Sequence, residues 1–548
     1  MGVCVHLDIA QSVTSAEWKK VYDETLKLVK AFPLAEYRQV VVRGIERWCL
    51  VRTQEREERR GWFNKETTRC WHACGDMKSL ATGEDYSLQR DYFDDIEYIP
   101  NATDPILYIA REYLPDVSKY SSFDNPYNLW EDKTQGHPYH LYLLAIACLV
   151  ESRLGNRAYV RGDITKGQCE RAVRMANKHL NVPIQVPDRC DLDRLLARVS
   201  NLPLTEADRL HVFAFSYIGR KDASFGAYLR EHFSKEALNQ YWKDSFAKYK
   251  VNAYGFRGEL KHYLEWGFDL ESLCPFVPFI DDEGTDYHET FVNTLMATEL
   301  YLPSKDTTDA LEIDPDQEQP YGIETVMAQF AFMWDRNMRV NRYIPLDRVR
   351  SILSEAIGDV CPTDQLIDEY LEREGIEVEP DQQGEASEDR PQQDGEVGLS
   401  IAPNDALNHL VATKRKEMGK YTIASVDELL SFAKGDTMAP SIRKTVAKSF
   451  VAYRSCLDDF LYQELMVSDP DIRCRWLQSA NKYVELRDSD WERICDEIME
   501  RPDAFERYYP MVRVDASYRG PREIVKAFVL NDDLYAYAAE LADALEEE

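Results

Sequence analysis

The segment Cys70-Trp71-His72-Ala73-Cys74 places two thiols and an imidazole within five residues. Thiolate and imidazole are ligands that zinc takes in proteins. On a strand, Cys70, His72 and Cys74 share one face with about 6.6 Å between successive positions. That is wide for ligands that must each sit roughly 2.0–2.3 Å from one ion. A turn would draw them together, and a fourth ligand would have to come from elsewhere, with Cys49 on a neighbouring strand as one source. The competing expectation is packed thiols beside a core tryptophan.

A second constellation opens at His137-Pro138-Tyr139-His140. Proline suits the first turn of a helix, and histidines three residues apart share a helix face. Asp163 follows a short strand, a position where α/β proteins often keep a ligand-binding carboxylate. Convergence of His137, His140 and Asp163 would build a metal site or a general acid–base pair, and hence a hydrolase. Otherwise Asp163 is a turn residue and the histidines are hydrogen-bonded at the edge of a core.

The third signal is basic. Residues 37–70 hold nine Lys or Arg against five acids, interleaved with Trp48, Trp62 and Phe63, in a chain whose net charge is −31. Arg56, Arg59 and Arg60 form its densest run. Basic residues among aromatics can grip single-stranded nucleic acid through charge and stacking. The same stretch could equally meet acidic residues, within the chain or on a partner, or stay solvated. Acidic clusters at Asp281-Asp282-Glu283-Gly284 and Glu312-Ile313-Asp314-Pro315-Asp316 lack the spacing of a calcium loop and read as turns.

No Walker loop, Gly-rich dinucleotide turn, nucleophile elbow, HExxH or kinase signature occurs in the sequence, so no cofactor is expected. That does not exclude an enzyme, since active sites are often assembled from residues distant in sequence.

The elements that would position these groups follow from periodicity and capping. Val3–Ile9 alternates as a strand. Thr14 with Glu17 forms a capping box before a helix that buries Trp18, Val21, Tyr22, Thr25, Leu28 and Val29. Val40–Ile45, Trp48–Thr53 and Thr67–Ala73 are predicted strands, and 75–104 is read as loops. Residues 137–154 are apolar on all sides, which marks a central helix ending at Gly155. Ala158–Val160 is a strand, and Thr165 with Gln168 caps the next helix. Helical patterns then recur at 189–199, 205–218, 223–233, 234–248, 256–266, 286–299, 321–336, 345–357 and 363–373.

Residues 374–403 carry nine acids against one arginine and almost nothing to bury, the composition of a disordered linker. Beyond it, helices are predicted over 404–418, 425–433, 440–467, a segment capped by Ser489 with Glu492, and 532–545. Tyr509–Val514 reads as a strand.

The expected fold is mainly α with a small α+β N-terminal unit, in a multi-domain helical protein matching no recognised superfold. The expected units are 1–104 (α+β), 105–373 (a large helical region), 374–403 (linker) and 404–548 (a helical C-terminal domain). Twelve scattered cysteines fit reduced thiols in a cytoplasm rather than a disulfide scaffold. Met1–Asp8 reads as a strand, not a secretory leader. The most apolar run, 141–150, is too short to span a bilayer. The acidity disfavours nucleic acid and anionic membranes as partners. The leading expectation is a cytoplasmic, non-enzymatic protein-interaction or regulatory protein. The alternatives are the hydrolase around His137, His140 and Asp163, and nucleic-acid binding through the arginine stretch.

Overall fold

The computed structural model describes residues 2–59, 67–94, 96–115, 124–302, 313–322, 339–376 and 417–547. Among the described residues helix accounts for 54% and strand for 13%, the strands forming two small antiparallel sheets near the N-terminus.

The first sheet has β1 (Val5–Ile9) at its centre, flanked by β7 (Tyr127–Trp130) and β8 (Ala158–Gly162). The second contains β2 (Leu34–Val42), β3 (Ile45–Arg52), β4 (Arg56–Arg59), β5 (Thr67–Asp76) and β6 (Thr82–Gln89). One edge of β5 is shared: Gly75 and Asp76 pair with the start of β2, while Thr67–Cys70 pair with β4. Its other edge pairs with β6. The β2–β3 hairpin therefore leaves the sheet after Ala35. Its turn falls at Arg43–Gly44, inside the segment expected to be a continuous strand, and both residues have positive φ (+50° and +81°). That conformation matches the right-handed twist of a two-residue hairpin.

Helix α1 (Ser15–Ala31) starts at the expected capping box, with Thr14 accepting from the Glu17 amide. It packs on α3 (Tyr139–Leu154), the central helix anticipated from its uniform hydrophobicity, thirteen of whose sixteen residues are buried. Each fully buried aliphatic side chain contributes about 1.5–3 kcal/mol, so such a helix is stable only when enclosed. α4 (Lys166–Asn177), with its Thr165/Gln168 box, completes this neighbourhood, whereas α2 (Pro105–Ala110) buries Ile106, Leu107 and Ala110 in the helical core that follows. The apolar cluster around β1 and α3 draws residues from Val5 to Cys190.

A second core follows, built by α5 (Leu192–Ser200), α6 (Glu206–Ser216), α7 (Ala223–His232), α8 (Lys235–Ala247), α9 (Tyr254–Glu265), α10 (His288–Met296), α11 (Leu346–Ile357) and α12 (Thr363–Glu374). Gly226 on α7 lies so close to the Trp266 carbonyl that a Cβ would sit 1.7 Å from that oxygen. The two cores meet at buried Arg198, which donates to Asp104 at 2.8 and 2.9 Å and to the Ala158 carbonyl at 2.9 Å.

The C-terminal block comprises α13 (Pro440–Ser455), α14 (Phe460–Met466), α15 (Pro470–Ala480), α16 (Asp488–Glu500), α17 (Phe505–Tyr508), α18 (Arg519–Leu530) and α19 (Asp532–Glu547). Its core includes Val42 and Cys49 of the hairpin. Backbone pairing continues the contact, with the Leu50 amide donating to the Leu486 carbonyl at 3.2 Å.

Five further local expectations are corrected. β6 lies within the segment read as loops, because only Tyr86 and Leu88 alternate inward and so short a pattern is hard to see. The stretch 440–467 is two helices, since the Asp459 side chain accepts from the Leu461 amide and starts α14 afresh. Tyr509–Val512 is a 3-10 turn, not a strand; Tyr508, Tyr509, Pro510 and Met511 are all buried, which rules out alternation. α16 is capped at Arg487, and residues 426–431 form a 3-10 helix. The helix expected at 321–336 lies outside the described residues from 323 on. So do the linker from 377 on and residues 404–416.

Candidate functional site

His140 is fully buried at the start of α3, and its Nδ1 hydrogen-bonds Thr134 Oγ1 at 2.7 Å. Thr134 Oγ1 in turn donates to the Val3 carbonyl at 3.1 Å. Burial pulls the imidazole down to about 4, so it is neutral in the fold. Asp163 leaves β8 and accepts the Cys4 amide at 2.9 Å. Burial raises its carboxyl. Both side chains thus anchor residues 3–4, the lead into β1, from its two flanks. His137 lies one turn before His140, whose amide donates to the His137 carbonyl at 2.9 Å.

On β5, alternation puts Trp71 and Ala73 into the core and Cys70, His72 and Cys74 on the opposite face. Register then decides the neighbours. Cys70 lies opposite Arg56 of β4, and His72 opposite Ser87 of β6. Glu58 on β4 and Asp85 on β6 therefore flank the same face. One ligand atom each of Glu58, Cys70 and His72 lies within 4.8 Å of the other two. His72 Nε2 is 3.2 Å from Glu58 Oε2, and His72 Nδ1 is 2.7 Å from Asp85 Oδ2. Arg56 Nε donates to the other oxygen of Glu58, Oε1, at 2.6 Å. Hydrogen bonding to Asp85 and then to the Cys70 thiol pushes the His72 imidazole up to about 10. Cys70 is buried, while His72, Glu58 and Asp85 keep 21%, 36% and 54% of their side chains accessible, so the cluster opens to solvent on one side.

The other thiols of the sequence constellation go elsewhere. Cys74 packs with Ala35, Leu50 and Leu80, and Cys49 joins the C-terminal core. Glu58, on the adjoining strand β4, is the third group of the cluster in place of a second cysteine.

The arginine stretch is largely committed within the chain. Arg56 pairs with buried Glu36 as well as with Glu58. Arg52 donates to the carbonyls of Lys30 and Phe32 at 2.6 and 3.0 Å. Arg47 lies 3.7 Å over the ring of Trp491. Arg43 pairs with Glu492 at 3.1 Å and also with Asp496. Arg59 is exposed on β4, and Arg60 lies outside the described residues.

The hairpin and α16 enclose a cleft of about 620 Å³, with Val40, Val41 and Val42 on one wall and Asp488, Glu492, Asp496 and Glu500 on the other. These four acids recur every fourth residue and line one helix face. Behind the seam, Thr82 Oγ1 donates to Glu485 at 3.1 Å and Arg487 to the Met77 carbonyl at 3.3 Å.

The two acidic clusters are turns, as expected. The Asp281 side chain accepts the amides of Glu283 and Thr285, and Arg220 spans Asp314 and Asp316. Glu312 lies outside the described residues.

No family model, curated protein or solved structure matches this chain.

Sequence reasoning missed Glu58, Asp85 and the acidic stripe of α16. The stripe was readable as an i, i+4 repeat. Glu58 and Asp85 required the pairing of two short polar strands.

Proposed function

We propose that this chain is a non-enzymatic, cytoplasmic interaction protein whose recognition surface is the cleft between the β2–β3 hairpin and α16. The observation that carries the reading is the pairing of an apolar wall, Val40–Val42, with a stripe of carboxylates four residues apart. Such a groove suits a partner segment that presents basic residues on one face and apolar residues on the other. Arg43 already sits against Glu492 and Asp496 in the way a partner's guanidinium would. The net charge of −31 supports a basic partner by steering its approach. Ten buried free thiols suit a reducing compartment. The internal pairing of Arg43, Arg47, Arg52 and Arg56 weighs against the nucleic-acid reading.

The test is fluorescence anisotropy with a labelled peptide carrying Arg and Leu at helical spacing. Saturable binding is expected at low salt, weakening as salt rises and lost in a Glu492→Lys/Asp496→Lys variant. Binding that ignores both charge reversals, or no saturable binding at low salt, would reject the reading.

A further inference from the structure

We propose that Glu58, Cys70 and His72 form a binding site for a divalent transition ion of the zinc class, with Asp85 as the residue that orients His72. The argument begins with the ligand set. One thiolate, one imidazole and one carboxylate run from soft through borderline to hard donors and together suit zinc or cobalt(II), and disfavour calcium and magnesium, which take oxygen. Around a tetrahedral zinc, donor atoms at about 2.0–2.3 Å from the ion lie roughly 3.3–3.8 Å from one another. His72 Nε2 and Glu58 Oε2 stand 3.2 Å apart, and the whole trio fits within 4.8 Å. The side chains therefore need shifts of an ångström or less to enclose an ion.

The second, independent observation is what occupies the other atom of each ligand. Histidine ligands usually pass their second ring N–H to a carboxylate, which fixes the tautomer and leaves the remaining nitrogen for the metal. Asp85 accepts from Nδ1 at 2.7 Å, so Nε2 is the nitrogen turned toward Glu58 and Cys70. Glu58 is prepared in the same sense. Arg56 donates to Oε1, which leaves Oε2 as a monodentate donor beside the imidazole. Arg56 is itself anchored on buried Glu36. Thr53 Oγ1 donates to the His72 carbonyl at 2.8 Å and fills the gap where β2 and β4 diverge along β5. A run of partners thus holds His72 Nε2, Glu58 Oε2 and the Cys70 thiol around one point of the sheet face. Three protein ligands leave a fourth position for water or an exogenous ligand on the accessible side, the pattern of zinc sites that exchange ligands.

Binding replaces the Cys70 S–H proton and the Nε2 proton by bonds to the metal, and both protons leave to solvent. No electron transfer is involved.

The experiment titrates the full-length, chelator-stripped protein with cobalt(II) and follows its visible and near-ultraviolet absorption. One equivalent is expected to produce a thiolate-to-cobalt charge-transfer band with intense d–d bands, both erased by one equivalent of zinc. Cys70→Ser should remove the charge-transfer band, and His72→Gln should abolish binding. Asp85→Asn, on an exposed side chain that carries no core packing, should weaken zinc by about 10–100-fold while the protein stays folded by circular dichroism. Cys74→Ser and Cys49→Ser should bind as the parent does. The proposal falls if the folded parent gives no charge-transfer band. It also falls if the band survives Cys70→Ser, or if zinc affinity is the same in the parent and in Asp85→Asn.

Discussion

Arg43, at the tip of a hairpin in the first fifty residues, donates its Nε to the Glu492 carboxylate at 3.1 Å, across 449 positions of sequence. Arg43 also holds a left-handed backbone conformation, φ +50°, which a non-glycine residue adopts at some cost. Asparagine, common before glycine in such turns, would fit that backbone better. A residue ill-suited to its turn thus stands where its side chain reaches the C-terminal block.

Replacing Arg43 with Asn separates these two roles. The turn gains a few tenths of a kcal/mol in propensity and the half-exposed ion pair loses about as much, since surface pairs contribute roughly 0–1 kcal/mol. Global stability is expected to change by less than about 1 kcal/mol. Hydrogen exchange should nonetheless accelerate in β2, β3 and α16 together. Unchanged exchange on both sides of the seam would show that Arg43 does not hold it closed.

A deeper contact lies behind the seam. Lys526 on α18 is fully buried, and its Nζ donates to the Leu80 carbonyl at 3.0 Å and to Glu523 at 2.9 Å. Burial raises the Glu523 carboxyl, and the Lys526 ammonium counteracts this at hydrogen-bond range. Lys526→Met should cost about 2–4 kcal/mol because it leaves a largely enclosed carboxylate, 15% accessible, without its ammonium partner. Adding Glu523→Gln should recover more than half of that loss. A double variant as unstable as the single one would place the cost in packing rather than in charge, as read by urea denaturation.

Arg56 was a sequence-level candidate for nucleic-acid contact, and its neighbours give it a different task. Glu36 is 1% exposed and depends on Arg56 and on the more distant Arg38, at 3.5 Å, for compensation. Arg56→Ala is expected to destabilise the sheet by about 2–4 kcal/mol, through a buried carboxylate left underpaired. Single-stranded DNA affinity should be unaltered between low and moderate salt. A fall in DNA affinity with no loss of thermal stability would restore the nucleic-acid reading.

Local signals in the sequence were legible. The Thr14/Glu17 and Thr165/Gln168 boxes start their helices where expected, and α3 is as central as its uniform hydrophobicity implied. What stayed hidden depends on register. β4 is a polar tetrapeptide, Arg-Glu-Glu-Arg, with no apolar alternation, so nothing nearby announced that Glu58 would stand beside Cys70 and His72. Asp85 belongs to a strand with only two inward residues, Tyr86 and Leu88. The closure of α16 on the hairpin links residues more than four hundred positions apart, and no periodicity carries such information.

The buried histidines make acid stability a readable quantity. His6, His140 and His211 are each pulled down to about 4, in every case chiefly by burial, against an ordinary value near 6.5. Between those limits the unfolded chain binds more protons than the folded one, so these groups lower stability as pH falls from about 6.5 toward 4. Glu151 works in the opposite direction. Burial lifts it to about 7, and the folded state retains a proton there that the unfolded chain releases. The total curve therefore mixes opposing slopes, and the useful measurement is a difference. His140→Asn removes one histidine from the balance. The stability gap between parent and variant should be constant above about pH 7. It should shrink on acidification by up to about 1.4 kcal/mol per pH unit, the slope of one proton. Guanidinium denaturation at half-unit intervals from pH 4 to 8 would show it. A gap that stays constant across that range would mean that His140 takes up its proton in the folded state as readily as in the unfolded chain.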